Sequence, residues 1–154
     1  MDIKNLEIHY IGLCDARKAE ICECSFTDSD IHSCFMDYSK IHDSRWSNAS
    51  FEKMYMEKCQ FDEVNLNGSS FQNLSMNEAG IGNSSMSRAQ FTSTALNECN
   101  FDNSTFSGSK FVRTDFSGVM IDESCDISGM TINGISVEAL LKSYNDKENN
   151  GGQD

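Results

Sequence analysis

Every fifth residue from Ile21 to Ile121 is apolar, a series of 21 positions without one polar member. It runs through Phe26, Ile31, Met36, Ile41, Trp46 and Phe51, and ends on Phe101, Phe106, Phe111, Phe116 and Ile121. Nine of the 10 Phe residues lie on it, all but Phe35. Leu6, Ile11 and Ala16 extend the phase upstream. A second register lies two residues earlier, from Ala19 to Val119, and 19 of its 21 members are Ala, Ser, Cys, Thr or Val. Met54 and Leu74 are its exceptions, and the other three positions of each pentad are mostly polar.

Neither a helix, with its period of about 3.6, nor an alternating strand, with its period of about 2, produces this pattern. One large and one small inward residue per five predicts a flat-sided solenoid. Each side points two chains inward and then turns a corner. Its backbone groups pair with the coils above and below at about 4.8 Å, the spacing of neighbouring strands. The small register is small because two inward chains share a narrow, close-packed interior.

Ser-Thr-Phe-Ser-Gly (104–108), Thr-Asp-Phe-Ser-Gly (114–118), Val-Asn-Leu-Asn-Gly (64–68) and Cys-Asn-Phe-Asp-Asn (99–103) carry a resemblance to the pentapeptide-repeat family. The chain resembles that family over residues 14–132, departing at the second pentad position in Phe35, Lys40, Arg45, Tyr55, Gln60 and Lys110. The resemblance implies an all-β fold, a right-handed quadrilateral β-helix of about six coils with four pentads per coil. Phe51, Phe71, Phe91 and Phe111 recur at the matching interval of 20, but a ten-residue recurrence is equally visible, so the four sides come from the family.

The two ends depart from the period. After Ile121 the inward candidates become Ile127, Ile132 and Val137, so an extra residue within Asp122–Asp126 predicts a bulged corner. Ser136 is placed to cap a short helix from Val137 to about Tyr144, with Leu140 and Leu141 on its apolar side. An open solenoid end must be covered, so Val137, Leu140, Leu141 and Tyr144 are read as cap or dimer contacts. The helix either lids its own chain or joins a second copy; family resemblance implies a homodimer through this end. Residues 1–13 read as an irregular N-terminal cap, 14–132 as the solenoid, 133–144 as the terminal helix and 145–154 as a disordered tail.

Seven Cys and three His invite a search for chemistry. Cys14, Cys24, Cys34, Cys59 and Cys99 occupy the small inward register and Cys125 joins it after the slip, where free Cys packs as a small hydrophobe. Cys22 is expected to point outward, away from Cys24. Cys14 and Cys34, one coil apart, fall within disulfide reach, although thiols are expected. His9, His32 and His42 lack partners at ligand or triad spacing, and no phosphate loop or nucleophile elbow occurs. The expectation is a non-enzyme with no metal and no cofactor. No apolar run is long enough for a membrane span, and MDIKNLEIHYIG does not read as a secretory signal, so a cytoplasmic, reducing setting is expected.

Charge then gives the solenoid an orientation. The chain has 24 acids against 12 bases, a net −12, which argues against direct nucleic-acid binding. Folded cyclically onto four faces, the pentads starting at 19, 39, 59, 79, 99 and 119 carry Glu20, Glu23, Asp43, Asp62, Glu63, Asp102, Asp122 and Glu123 against Lys40, a net −7. The preceding face, with Asp37, Glu57, Glu78, Glu98 and Asp115 against Lys58, carries −4, and the other two carry +1 each. Three readings follow. The acid keeps a β-solenoid monodisperse; or it mimics DNA, since resemblance to quinolone-resistance and toxin-immunity members implies a gyrase or topoisomerase target; or the surface is a protein-binding scaffold. Phe35 and Tyr55, outward and one coil apart with Tyr38 beside them, mark a candidate aromatic contact patch for the last.

Overall fold

A computed structural model describes residues 2–4 and 10–150, with side chains from 12 to 147. The inward series builds short strands spaced every ten residues. In chain order they are β1 (Asp2–Lys4), β2 (Tyr10–Gly12), β3 (Glu20–Cys22), β4 (Asp30–His32), β5 (Lys40–His42), β6 (Ser50–Glu52) and β7 (Gln60–Asp62). Then come β8 (Ser70–Gln72), β9 (Gly80–Gly82), β10 (Gln90–Thr92), β11 (Asn100–Asp102), β12 (Lys110–Val112) and β13 (Met120–Ile121). The chain closes with β14 (Thr131–Ile132), β15 (Ile135–Ser136) and the helix α1 (Val137–Asn150).

Odd and even strands form two separate parallel sheets, in the orders β1-β3-β5-β7-β9-β11-β13 and β2-β4-β6-β8-β10-β12-β14. Register along both is 20 residues, as in Phe51↔Phe71 and Phe61↔Ile81. Between the sheets run two ladders of single bridges, Asp15↔Phe35↔Tyr55↔Ser75↔Ala95↔Asp115 and Ser25↔Arg45↔Asn65↔Ser85↔Thr105. Two sheets and two ladders make four sides, and the 20-residue coil is now a register rather than an inference. The molecule is a parallel β-solenoid of about six turns with one C-terminal helix.

Corners explain the fifth pentad position. Residues such as Glu23, Asp28, Ser33, Tyr38 and Asp43 all adopt φ between 51° and 61°, the left-handed region. That conformation favours Gly and Asn, and Asn48, Asn73, Asn83 and Asn103 occupy the same corner series. Where bulkier residues stand there, the bonds to the coils on either side hold the geometry: the Tyr38 amide donates to the Glu57 carbonyl at 2.8 Å.

The interior has two kinds of order. Phe51, Phe71, Phe91 and Phe111 form one parallel ring stack, with centroid spacings of 4.9, 4.5 and 4.6 Å. In the small register the hydroxyls and thiols tie coils together. Ser69 donates to the Trp46 carbonyl at 2.5 Å and accepts from the Ala49 amide at 3.2 Å. Ser39 does the same with Ala16 (2.8 Å) and Ala19 (3.1 Å), while the Cys59 and Cys99 thiols donate to Met36 and Met76, each at 2.9 Å. Serine is tolerated inside because its hydroxyl is satisfied there.

Several expectations change at the ends. The predicted bulge is present: Thr105 pairs with Asp126, 21 residues on, and Phe111 with Ile132. Met130, one small-register step before Ile132, is fully buried and closes the interior. Asn133 and Gly134, both at positive φ (49° and 80°), then form a two-residue turn between antiparallel β14 and β15. Ser136 caps α1 by accepting from the Ala139 amide at 3.3 Å. The helix runs on to Asn150 instead of ending near Tyr144, because nothing from Asn145 to Asn150 breaks it before Gly151. Upstream, β1 and β2 already join the ladders within the segment read as an irregular cap. Leu6, Ile8 and His9 of that cap, and 151–154 of the tail, lie outside the described residues.

Candidate interaction surface

The face built on β3, β5, β7, β9, β11 and β13 exposes all eight of its predicted carboxylates, Glu20, Glu23, Asp43, Asp62, Glu63, Asp102, Asp122 and Glu123. Central strand residues point inward, so the flanking residues and the corner residue point out, and a 20-residue register stacks them coil upon coil. The acids do not stand as bare like charges. His42 lies between two of them, Nδ1 at 2.8 Å from Asp43 and Nε2 at 3.4 Å from Glu20, and the Asp43 contact holds its pKa above the ordinary 6.5. Asn83 donates to Asp62 at 2.8 Å and accepts from Asn103 at 2.8 Å. Asp122 is held below the usual carboxylate range by the Ser124 hydroxyl and amide. Histidine and asparagine thus act as spacers that dilute repulsion between coils.

The neighbouring face, on the Asp15–Asp115 ladder, carries the aromatic patch. Phe35 and Tyr55 are 44 and 50% exposed and stack with centroids 5.1 Å apart. The Arg17 guanidinium lies 5.8 Å from the Phe35 centroid, and Lys58 lies 5.7 Å from that of Tyr38 while pairing with Glu78 at 3.2 Å. Arg17 also forks onto Asp15, which pulls that carboxyl down to about 2. Sequence reasoning found the three aromatics but missed Arg17 and Lys58 over the rings, contacts that only the coil-to-coil register reveals. The two acidic faces share the corner at Tyr38–Ser39.

At the C-terminal end the four predicted contacts separate. Val137 packs on the solenoid core and its amide donates to Met130 at 3.1 Å. Leu140, Leu141 and Tyr144 remain 47, 48 and 62% exposed on α1, so they do not lid their own chain.

The cysteines are thiols. Cys22 corrects its expectation: it is 3% exposed despite its outward register, a short side chain on a strand paired on both sides by β1 and β5. Burial pushes the Cys59 and Cys99 thiols up to about 12 and about 11, and desolvation together with contact to Cys34 pushes Cys14 to about 12. Thiols so raised are poor nucleophiles. Among the described residues no cluster of His, Cys, Asp or Glu is arranged to hold a metal ion, and no helix is long and apolar enough to cross a membrane.

Comparison with known proteins bears on this geometry. Residues 84–119 match the model of pentapeptide repeats, in eight copies. A pentapeptide repeat protein from the Arabidopsis thaliana thylakoid lumen shares the fold with a TM-score of 0.55 at 14% identity, over 85% of this chain and 74% of that one. QnrB1, described as a plasmid-mediated fluoroquinolone resistance protein, aligns over 94% of this chain and 99% of its own in full-length form, at 14% identity and a TM-score of 0.42. No curated protein matches the chain.

Proposed function

We propose that this chain, a pentapeptide-repeat protein, is a non-catalytic binding module that engages a protein partner through its acidic solenoid surface. The observation that carries the reading is the exposure of eight carboxylates on one unbroken face, set out at coil spacing by a rigid interior. A flat, regularly charged face offers a basic partner many simultaneous, weak contacts and steers its approach. The partner acts from the same reducing, cytoplasmic compartment. The test is affinity capture by the wild type and by a triple charge reversal, Asp62→Lys, Glu63→Lys and Asp102→Lys. A partner held by the first and lost from the second supports the reading. An identical set from both means that the face serves solubility alone.

The acidic face also favours a second reading, DNA mimicry toward DNA gyrase or topoisomerase. Adjoining faces of −7 and −4 give one side of a rod the charge of a duplex. A supercoiling assay with and without a fluoroquinolone decides it. Inhibition or drug protection that disappears with the triple reversal supports mimicry, and no effect at micromolar protein removes it.

Dimerisation through α1 belongs to the same proposal. Among the described residues nothing covers the exposed Leu140, Leu141 and Tyr144, and a second copy would supply that cover. Sedimentation should give a dimer for the wild type and a monomer for Leu140→Ser/Leu141→Ser; a dimer in both places the contact elsewhere.

A further inference from the structure

The Phe35–Tyr55 stack has two ends, and they are furnished alike but filled differently. The ring planes lie within 9° of each other, so each ring turns one face to its partner and the other along the ladder. On the Phe35 side the chain closes the stack itself. Arg17 lies over the ring and is fixed by Asp15, with Nε to Oδ1 at 2.8 Å and Nη2 to Oδ2 at 2.5 Å. On the Tyr55 side the next ladder positions are Ser75 and Ala95, too short to cover a phenol ring. The Ser75 hydroxyl donates to Glu57 Oε1 at 2.8 Å, which ties that carboxylate to the ladder position next to Tyr55. Among the described residues no cation forms an ion pair with Glu57, whereas Glu78 takes Lys58.

A ring face with a carboxylate beside it holds an arginine at one end of the stack. We propose that the other end is a site for an arginine side chain of a partner protein, its guanidinium stacked on Tyr55 above Ser75 and paired with Glu57. A planar cation satisfies both walls at once, stacking on one and donating in its own plane to the other, which an ammonium does not do. Nucleobases also stack on tyrosine, but their phosphates would meet Asp37, Glu57, Glu78 and Glu98 on this −4 face. The inference rests on the protein-binding reading and moves its specific contact from the −7 face to the aromatic stack.

The test is an NMR titration of the full chain, read at the Tyr55 ring protons. The probe is a Gly/Ser nonapeptide with one central arginine, compared with its lysine and citrulline counterparts and with adenosine monophosphate. The arginine peptide should half-saturate at about tenfold lower concentration than the citrulline peptide, and below the lysine peptide. Tyr55→Phe should keep the response, read then at the new ring, while Tyr55→Ala, followed at Phe35, should lose it. Glu57→Gln should weaken it about tenfold. Equal responses to arginine and lysine, no response at millimolar peptide, or a stronger response to the nucleotide would each overturn the site. If Asp62→Asn/Asp102→Asn abolishes binding and Tyr55→Ala does not, the acidic-face reading survives and this inference fails.

Discussion

From Ile21 to Phe111 every large inward residue is buried; from Phe116 onward Phe116, Val119, Ile121, Ile127 and Ile132 are only partly so. The same pentad pattern therefore gives two physical states. A central coil is sandwiched, so its large residue stacks on both sides and its small residue bonds to the coil before it. A terminal coil has one neighbour, and half of its packing surface must be met by something other than another repeat. Met130 and Val137 meet part of it within the chain. Leu140, Leu141 and Tyr144 do not; they stay exposed, and the C-terminal end is the less buried part of the solenoid.

The largest test of this contrast is a pair of truncations. Phe91→Ala removes a ring from the middle of the stack and should cost about 3–5 kcal/mol, the range for a buried aromatic. Phe116→Ala, at the half-buried end, should cost roughly half as much, since less area is removed from water. Chemical denaturation of both variants checks it. Equal losses would mean that the solenoid unfolds as one unit and that its end is no softer than its middle.

Polar ties give the next, smaller contrast. Ser69→Ala leaves the Trp46 carbonyl and the Ala49 amide without their inter-coil partner and should cost about 1–2 kcal/mol. Thr114→Ala, whose hydroxyl reaches Phe91 and Val112 only at 3.5 and 3.4 Å, should fall within about 0.5 kcal/mol of wild type. Thermal unfolding of the two variants would erase the distinction between central and terminal coils if the losses were alike.

How much of this was legible beforehand follows from which forces are periodic. The inward series named the core from Ile21 to Phe111 almost residue for residue, because one buried position per pentad leaves an uninterrupted trace. The slip after Ile121 was equally visible, since it displaced that trace by one. What escaped was local or cross-coil. Met130 closes the interior from a register position that, apart from Met54 and Leu74, holds small residues in the preceding coils. The Asn133-Gly134 turn is a local signal that lies beyond the last regular repeat, where the five-residue period carries no information. The helix extends past Tyr144 to Asn150 through a polar stretch that carries no apolar period, so hydrophobic patterning does not mark its end. Cys22 is buried although its register points outward, which one pentad cannot show. At the surface the eight acids and the aromatic pair were placed by counting, but Arg17 over Phe35 and His42 between Glu20 and Asp43 depend on side-chain reach across coils.

Cysteine chemistry sharpens the contrast without perturbing the fold. Cys99 is buried in a central coil and Cys125 half-exposed in the last one, where burial and Asp122 raise its thiol above the ordinary value. Alkylation of the native protein should label Cys125 while Cys99 waits for global unfolding. Sub-denaturing urea should widen that gap, by loosening the end first. Similar labelling rates, measured by mass spectrometry, would place the weakest part of the solenoid elsewhere.

The smallest effect belongs to His42, which joins Glu20 on one coil to Asp43 on its own. Its folded pKa is raised above 6.5, chiefly by Asp43, so the proton is bound more tightly in the folded than in the unfolded chain. The resulting stabilisation is complete below about pH 6.5 and is lost as pH rises through the folded value. Because the ring is exposed, the gain is modest and screened by salt. A shallow rise in melting temperature from pH 8 to pH 6, flattened by His42→Gln and by added salt, is the expected result. If His42→Gln leaves the slope intact, the proton is taken up elsewhere and His42 is a neutral spacer in a central coil. Such an outcome would also mean that His42 adds no pH-dependent tie between its coils, whose side-chain cohesion on this face then rests on neutral bonds such as Asn83 to Asp62 and Asn103 to Asn83 beside the backbone ladder.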